Sequence, residues 1–256
     1  TISTGGNTSS NSMTFTFTGT DSGVGLSHFE CSIDNSDFVT CTSPLLVDSL
    51  TDGTHTMKVL SEDNSTNKDP SPASFTWTVD TVSPTTTIIS ATDGNRTTLS
   101  TGSNTSSNSM TFAFSANDTG GDEGKGVGIN HFECNIDNSK FVPCTSPFTF
   151  PGLSGDGQYT LEVRAEDSVG NKDSSPAIFT WTVDTTPPTT TIDSATDGNN
   201  KVITVGGNTS SNSMIFMFSS IDSGVGVDHS ECSIDSSNFT VCTSPIQFAS
   251  TNLGDG

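Results

Sequence analysis

Glu62, Asp63 and Asp80, repeated as Glu166, Asp167 and Asp184, set carboxylates twice over into turn-forming sequence. Calcium takes several oxygen ligands at about 2.3 to 2.6 Å, and clustered carboxylates with asparagine and backbone carbonyls can supply them. The six residues read first as solvated acidic loops, and calcium is the cofactor they would hold if they bind one. A second acidic set, Asp118, Asp122 and Glu123, lies in a glycine-rich insertion of the middle of the chain and reads as a flexible segment rather than an ion site. His28, His131 and His229 stand two residues before Glu30, Glu133 and Glu231. On a strand that spacing puts each pair on one face, where two ligands are too few for a metal, so the pairs read as outward polar groups. No motif joins a nucleophile to its base: G-x-S-x-G, H-E-x-x-H and the phosphate-binding loop are all missing. The chain reads as a non-enzyme.

These groups sit in a repeated frame. NTSSNSM begins at Asn7, Asn104 and Asn208, and a cysteine pair ten positions apart recurs as Cys31 and Cys41, Cys134 and Cys144, Cys232 and Cys242. Each unit ends in TWTVDT, at Thr76 to Thr81 and Thr180 to Thr185. Such self-similarity marks a tandem array, with expected units at 1–81, 82–185 and 186–256. On this register only the middle unit is complete. The first lacks the counterpart of Val82 to Thr97, and the third lacks the final strands.

Within a unit, apolar and polar residues alternate with period two, the pattern of strands with one face on a core. Phe112 and Phe114 alternate with small or polar residues, as Phe15 and Phe17 do with threonine; Phe29, Cys31 and Ile33 share a face against His28, Glu30 and Ser32. Tyr159, Leu161, Val163 and Ala165 form another inward row, matched by His55, Met57, Val59 and Ser61. Phe75, Trp77 and Val79 form the last, so Trp77 and Trp181 read as core residues rather than sugar-stacking platforms. Asp-Gly, Ser-Gly and proline turns divide the strands at the spacing of a β-sandwich.

The cysteine spacing fits one short-range disulfide per unit, closing a hairpin or corner, and no C-x-x-C zinc pattern competes. Closing so short a loop contributes about 2.5 to 3 kcal/mol in the chain-entropy model, and its persistence implies an oxidising, extracellular location. Sequons occur at Asn7, Asn64, Asn95, Asn104, Asn117, Asn208 and Asn238, giving an exported chain seven places for N-linked glycans. With 29 acidic and 8 basic residues among 256, the net charge of -21 excludes nucleic acid and anionic membrane surfaces as partners. No apolar run is long enough to insert directly into a membrane.

The segments FECSID, CTSP, LTDGTHTMKV, AEDSVGNKD and FTWTVDTTPPTTTI resemble the Ig-like repeats of bacterial and archaeal cell-surface proteins, most strongly the large archaeal ones. The resemblance covers essentially the whole chain. It implies an all-β fold of tandem immunoglobulin-like β-sandwich domains, export, and a place in adhesion, surface layers or extracellular fibres. Thr66 stands where the middle unit has Gly170, so the acidic turn of the first unit is expected to be built differently. The expected role is a structural repeat segment of an extracellular filament, surface array or fibre, with self-association or neighbouring Ig-like repeats as partners. The alternative is an adhesin module binding a surface glycan or a cell-surface protein. Loops that repeat with modest change favour the first, and short DTTPP linkers, stiffened by proline, fit a spacer of restricted angle.

Overall fold

Threonine and valine dominate the alternating segments and suit a pleated, half-buried surface; the computed structural model, which describes residues 1–120 and 126–249, builds them into strands. The first unit contains β1 (Gly6–Thr8), β2 (Met13–Phe15), β3 (Leu26–Ile33), β4 (Val39–Cys41), β5 (Leu45–Val47), β6 (Gly53–Asp63) and β7 (Ala73–Val79). The middle unit follows with β8 (Thr85–Asp93), β9 (Thr98–Leu99), β10 (Ser103–Thr105), β11 (Met110–Asn117), β12 (Ile129–Ile136), β13 (Val142–Cys144), β14 (Phe148–Phe150), β15 (Gly157–Asp167) and β16 (Ala177–Val183). The third comprises β17 (Thr189–Asp197), β18 (Met214–Ile221), β19 (Ser230–Cys232), β20 (Thr240–Cys242) and β21 (Ile246–Phe248).

The middle unit shows the whole plan. One sheet runs β10-β16-β15-β12-β13 and the other β14-β11-β8-β9. Between them lie Met110, Phe112 and Phe114 of β11 against Leu161 and Val163 of β15 and Phe179, Trp181 and Val183 of β16. Burial of each such side chain contributes about 1.5 to 3 kcal/mol before the entropy of ordering is charged against it. Phe112 sits 5.4 Å from Phe179 and 5.3 Å from Trp181 between ring centroids, in the tilted arrangements that aromatic rings prefer. Trp77 and Trp181 have no exposed surface, and their buried indole N–H groups have no partner among the described residues. Neither ring is a sugar platform.

The first unit repeats the larger sheet as β1-β7-β6-β3-β4. Its β2 pairs only with β5, whereas β11 pairs with both β14 and β8. β2 ends at Phe15, so Phe17 lies outside the strand although the alternation includes it. In the third unit β17 and β18 pair in the register of β8 and β11, both with a bulge.

The fold is thus all-β, tandem immunoglobulin-like sandwiches with one short-range disulfide each. Cys31–Cys41, Cys134–Cys144 and Cys232–Cys242 each join adjacent strands, β3 to β4, β12 to β13 and β19 to β20, with Cα atoms 5.8 Å apart.

The acidic turn departs from expectation. Thr66 adopts φ 68° and Gly170 φ 94°, both in the left-handed region. Asp63 N–H bonds the Asn67 carbonyl at 3.0 Å, as Asp167 N–H bonds that of Asn171 at 3.0 Å. The two turns are therefore built alike. The aspartate at the head of each holds the loop, Asp63 Oδ1 accepting from the Ser65 and Asn67 amides and Asp167 Oδ1 from those of Val169 and Asn171. Thr66 bears the strain that glycine avoids.

Candidate functional site

Adjacent residues on a strand point to opposite faces, and the ends of β6 and β15 obey this. Glu62 and Glu166 turn outward; Asp63 and Asp167 turn toward the turn that follows. The six carboxylates expected to hold calcium therefore divide into two environments.

On the outer face, Glu62 joins His28 and Glu30, and Glu166 joins His131 and Glu133, each set with ligand atoms within 4.8 Å of one another. A lysine already occupies each set. Lys68 Nζ lies 2.7 Å from Glu30 and 3.6 Å from Glu62; Lys172 Nζ lies 3.2 Å from Glu133 and 2.9 Å from Glu166. Arg164 adds a further contact to Glu133 at 2.7 Å and stacks 4.0 Å above the ring of Phe141. The hydrogen bond from Lys68 holds the Glu30 carboxyl below its ordinary range. These are ion-pair networks on a half-exposed strand face, in which Arg164 and Lys172 balance Glu133 and Glu166 while Lys68 balances one charge of Glu30 and Glu62.

The other environment forms where β7 runs into β8. Asp80, the residue after β7, meets Asp118 and Asp167 of the middle unit, with one oxygen from each within 4.8 Å of the others. Asp80 and Asp167 are fully buried. Asp80 Oδ1 accepts the Val82 amide at 3.1 Å and Oδ2 the Val127 amide at 2.9 Å. Asn171 Nδ2 bridges, donating to Asp167 Oδ2 at 2.7 Å and to the Asp80 carbonyl at 2.9 Å. Asp118 Oδ2 accepts the Gly128 amide at 3.0 Å, while its buried Oδ1 has no partner among the described residues. Burial raises the Asp80 carboxyl's affinity for its proton; the Val127 and Val82 amides oppose this, and the charges of Asp118 and Asp167 add to it. Three carboxylates and an orphaned buried oxygen make a set that a hard divalent cation fits. Glycine lets the backbone come close: a Cβ on Gly120 would collide with the Asp80 carboxylate.

Asp80 thus meets Asp167 of the following unit, not Glu62 and Asp63 of its own. Asp118 joins them, although sequence grouped it with Asp122 and Glu123, which lie outside the described residues. The signal was present in DSGVG at Asp21 and Asp222, which the insertion splits into Asp118 and Gly126-Val127-Gly128 in the middle unit. The next joint repeats the pattern: Asp184 Oδ2 accepts the Val225 amide at 2.8 Å, and a Cβ on Gly224 would strike the Asp184 carboxylate.

A matching clamp holds each linker. Asp52 Oδ1 accepts the amide of Thr81 at 2.8 Å and its hydroxyl at 2.9 Å; Asp156 does the same for Thr185 at 2.8 and 2.7 Å. The middle unit also grips the start of β8, where Asp173 Oδ2 accepts the Thr86 amide at 2.7 Å and Thr86 Oγ1 accepts the Ala165 amide at 2.9 Å.

The described geometry is that of jointed sandwiches, and one family model recognises part of it. Residues 153–208 match the bacterial Ig-like domain (group 3). The matched stretch contains β15, β16 and β17 and crosses the joint at Asp184. The archaeal leaning of the sequence resemblance finds no support, since the matching model is bacterial. No curated protein matches the chain. Among solved structures, the fibronectin(III)-like modules of Clostridium thermocellum CbhA are similar at 14% identity over 71% of this chain and 90% of that one, with a TM-score of 0.35. A tetra-tandem repeat from the extending region of a large adhesion protein is similar at 16% identity over 87% of this chain and 66% of that one, with a TM-score of 0.28. The Bacteroides ovatus glucan-utilisation protein SGBP-B, solved with a mixed-linkage heptasaccharide, gives 14% identity over 97% and 87% of the two chains and a TM-score of 0.25. At such low identity and TM-score none of the three informs the function of this chain.

All seven sequon asparagines are exposed. Asn64 spends its amide on the Val24 carbonyl at 2.9 Å.

Proposed function

We propose that this chain is a structural segment of an extracellular filament, surface array or fibre, in which each sandwich is fixed at a restricted angle to the next. The observation that carries the reading is the likeness of the two joints. Asp52 with Thr81 and Asp156 with Thr185 clamp the linkers at the same distances, and Asp80 and Asp184 each accept one amide from the loop of the following unit. A spacer needs this repetition, because length grows by adding units and each joint must resist bending. The units divide at 81/82 and 185/186, between the clamp threonine and the residue after it. The partners are neighbouring Ig-like repeats, in the same chain or another copy.

Calcium belongs to the same proposal. Asp80, Asp118 and Asp167 would hold it; bound there, it supplies charge neutralisation and cross-links the two units. Asp184 and Asp222 would contribute to the equivalent site at the next joint, and Asp63 to one on its own unit. Glu62 and Glu166 are left to their lysines. The exposed sequons, repeat-equivalent at Asn7, Asn104 and Asn208, are the proposed glycan positions.

Electron microscopy of undenatured material, with calcium and with chelator, tests the reading. Ordered strings with an axial period set by a sandwich of roughly 35 to 40 Å support it. Particles that bend freely at both joints in calcium sink it.

A further inference from the structure

His55 differs from its repeat partner in a way that the spacer reading does not use. Its side chain is 8% exposed and its ring lies 5.6 Å from that of Trp77 between centroids. Nδ1 is 2.7 Å from Asp34 Oδ2, and Nε2 is 2.7 Å from the Thr51 carbonyl oxygen. Both partners are acceptors. A neutral imidazole has one N–H and satisfies one of them; only the imidazolium satisfies both.

The middle unit solves the same problem without charge. Tyr159 takes the place of His55, stacks 5.6 Å from Trp181, and donates its hydroxyl to the Gly155 carbonyl at 2.8 Å, the counterpart of Thr51. Asp34 and Asp137 each accept a β6 or β15 amide, from Thr56 or Thr160, at 2.8 Å. Of the two, Asp34 alone has a histidine ring nitrogen on its other oxygen. The groups packed on the ring are Asp34 from the turn after β3, Trp77 from β7 and Thr51 from the loop before β6. Lys58, on β6 itself, is turned to Asn35 Oδ1 at 2.8 Å.

Thr51 is next to Asp52, whose carboxylate clamps Thr81 in the linker. We infer that the proton on His55 makes the first joint pH-sensitive: while it is present, His55 pins the loop that holds the linker, and its loss releases the Thr51 carbonyl and loosens the Asp52–Thr81 clamp. The second joint, closed by Tyr159, lacks this dependence. Burial alone would lower the pKa of the ring, but the Thr51 carbonyl and then the Asp34 carboxylate outweigh it, and the net shift is upward from 6.5. With the folded value above the unfolded one, the stabilisation is complete below about pH 6.5 and is lost as pH rises through the folded pKa.

The test uses the whole 256-residue chain in calcium-free buffer, so that it is independent of any ion at the joint. Nitrogen-15 spectra of wild type and His55→Tyr should show one histidine, absent from the variant, with both ring nitrogens protonated at pH 6 and a pKa above the ordinary value. Amide exchange at Thr81, corrected for intrinsic rate and divided by that at Thr185, should rise roughly tenfold for each pH unit by which the folded pKa exceeds the unfolded one. The ratio should stay flat in His55→Tyr. The reverse variant, Tyr159→His, should transfer the dependence to Thr185, which keeps the inference testable if His55→Tyr does not fold. A neutral His55 ring at pH 6, or a wild-type ratio that does not change with pH, overturns it.

Discussion

Asp118→Asn should reverse sign with calcium, and the cluster geometry says why. Asp118 Oδ2 already accepts the Gly128 amide, and its buried Oδ1 has no donor among the described residues. Asparagine can keep the first bond through its carbonyl oxygen and direct its NH₂ at the Asp80 and Asp167 carboxylates, which lie within 4.8 Å. Like charges at that separation repel by about 3 kcal/mol at an effective dielectric of 20. Asp118 is half-buried, and solvent screening together with the reorientation of the amide reduces the gain to about 1 to 2 kcal/mol. In chelator the variant should therefore melt higher than wild type, by about 4 to 8 °C per kcal/mol for a domain of this size. In millimolar calcium the order should invert, because wild type gains an ion that the variant binds poorly. Differential scanning calorimetry of both proteins, with chelator and with calcium, measures all four midpoints. If the variant melts lower in chelator, or calcium raises both proteins equally, the reasoning about the cluster is wrong.

Thr66→Gly should stabilise the first unit by about 1 kcal/mol, since a β-branched residue at φ 68° carries left-handed strain that glycine does not; a lower urea midpoint would contradict this. Replacing Cys134 and Cys144 by serine should cost the middle unit about 2.5 to 3 kcal/mol from loop closure over a separation of 10 residues, read as a fall in the denaturant midpoint, with any change of slope an increase as the unfolded chain is released. Asp93 should make the middle unit acid-labile: burial raises its pKa, but Thr105 and the Thr97 and Asn95 amides outweigh that and hold it below 3.8. The folded value being the lower, its contribution is present above about pH 3.8 and lost as pH falls through it, so Asp93→Asn should flatten the acid limb of a stability–pH curve. Intact mass of natively produced chain should exceed the bare polypeptide by at least one glycan; equality would remove glycosylation.

Much of the sandwich is legible because its periodicity is strict. Leu161, Val163, Trp181 and Val183 alternate with polar residues, and with Phe179 all fall in the core. The cysteine pairs were equally plain, as a ten-residue spacing written three times. The joint was harder, for two physical reasons. Sequence proximity suggested that Glu62 and Asp63 belong together, whereas the pleat sends neighbours to opposite faces. Asp80, Asp118 and Asp167 come from three segments up to 87 residues apart, and an insertion disguises the one that would have named the partner. Lys68 and Lys172 show the converse limit: a lysine just past each turn lies back alongside the strand and pairs with carboxylates of two strands, Glu30 and Glu62 or Glu133 and Glu166.

The cluster at the first joint also bears on how such an array could lengthen or shorten in the gene. Asp80 is encoded at the end of one repeat, and Asp118 and Asp167 are encoded in the next. An unequal crossover that keeps repeats in phase, at whatever point within the repeat it falls, rejoins a tail aspartate to a following pair and restores a complete joint. A crossover out of phase strands carboxylates, two of them fully buried, without their counterparts. The repeat can thus be copied in number freely, but only in whole periods, and the joints rather than the cores police that rule.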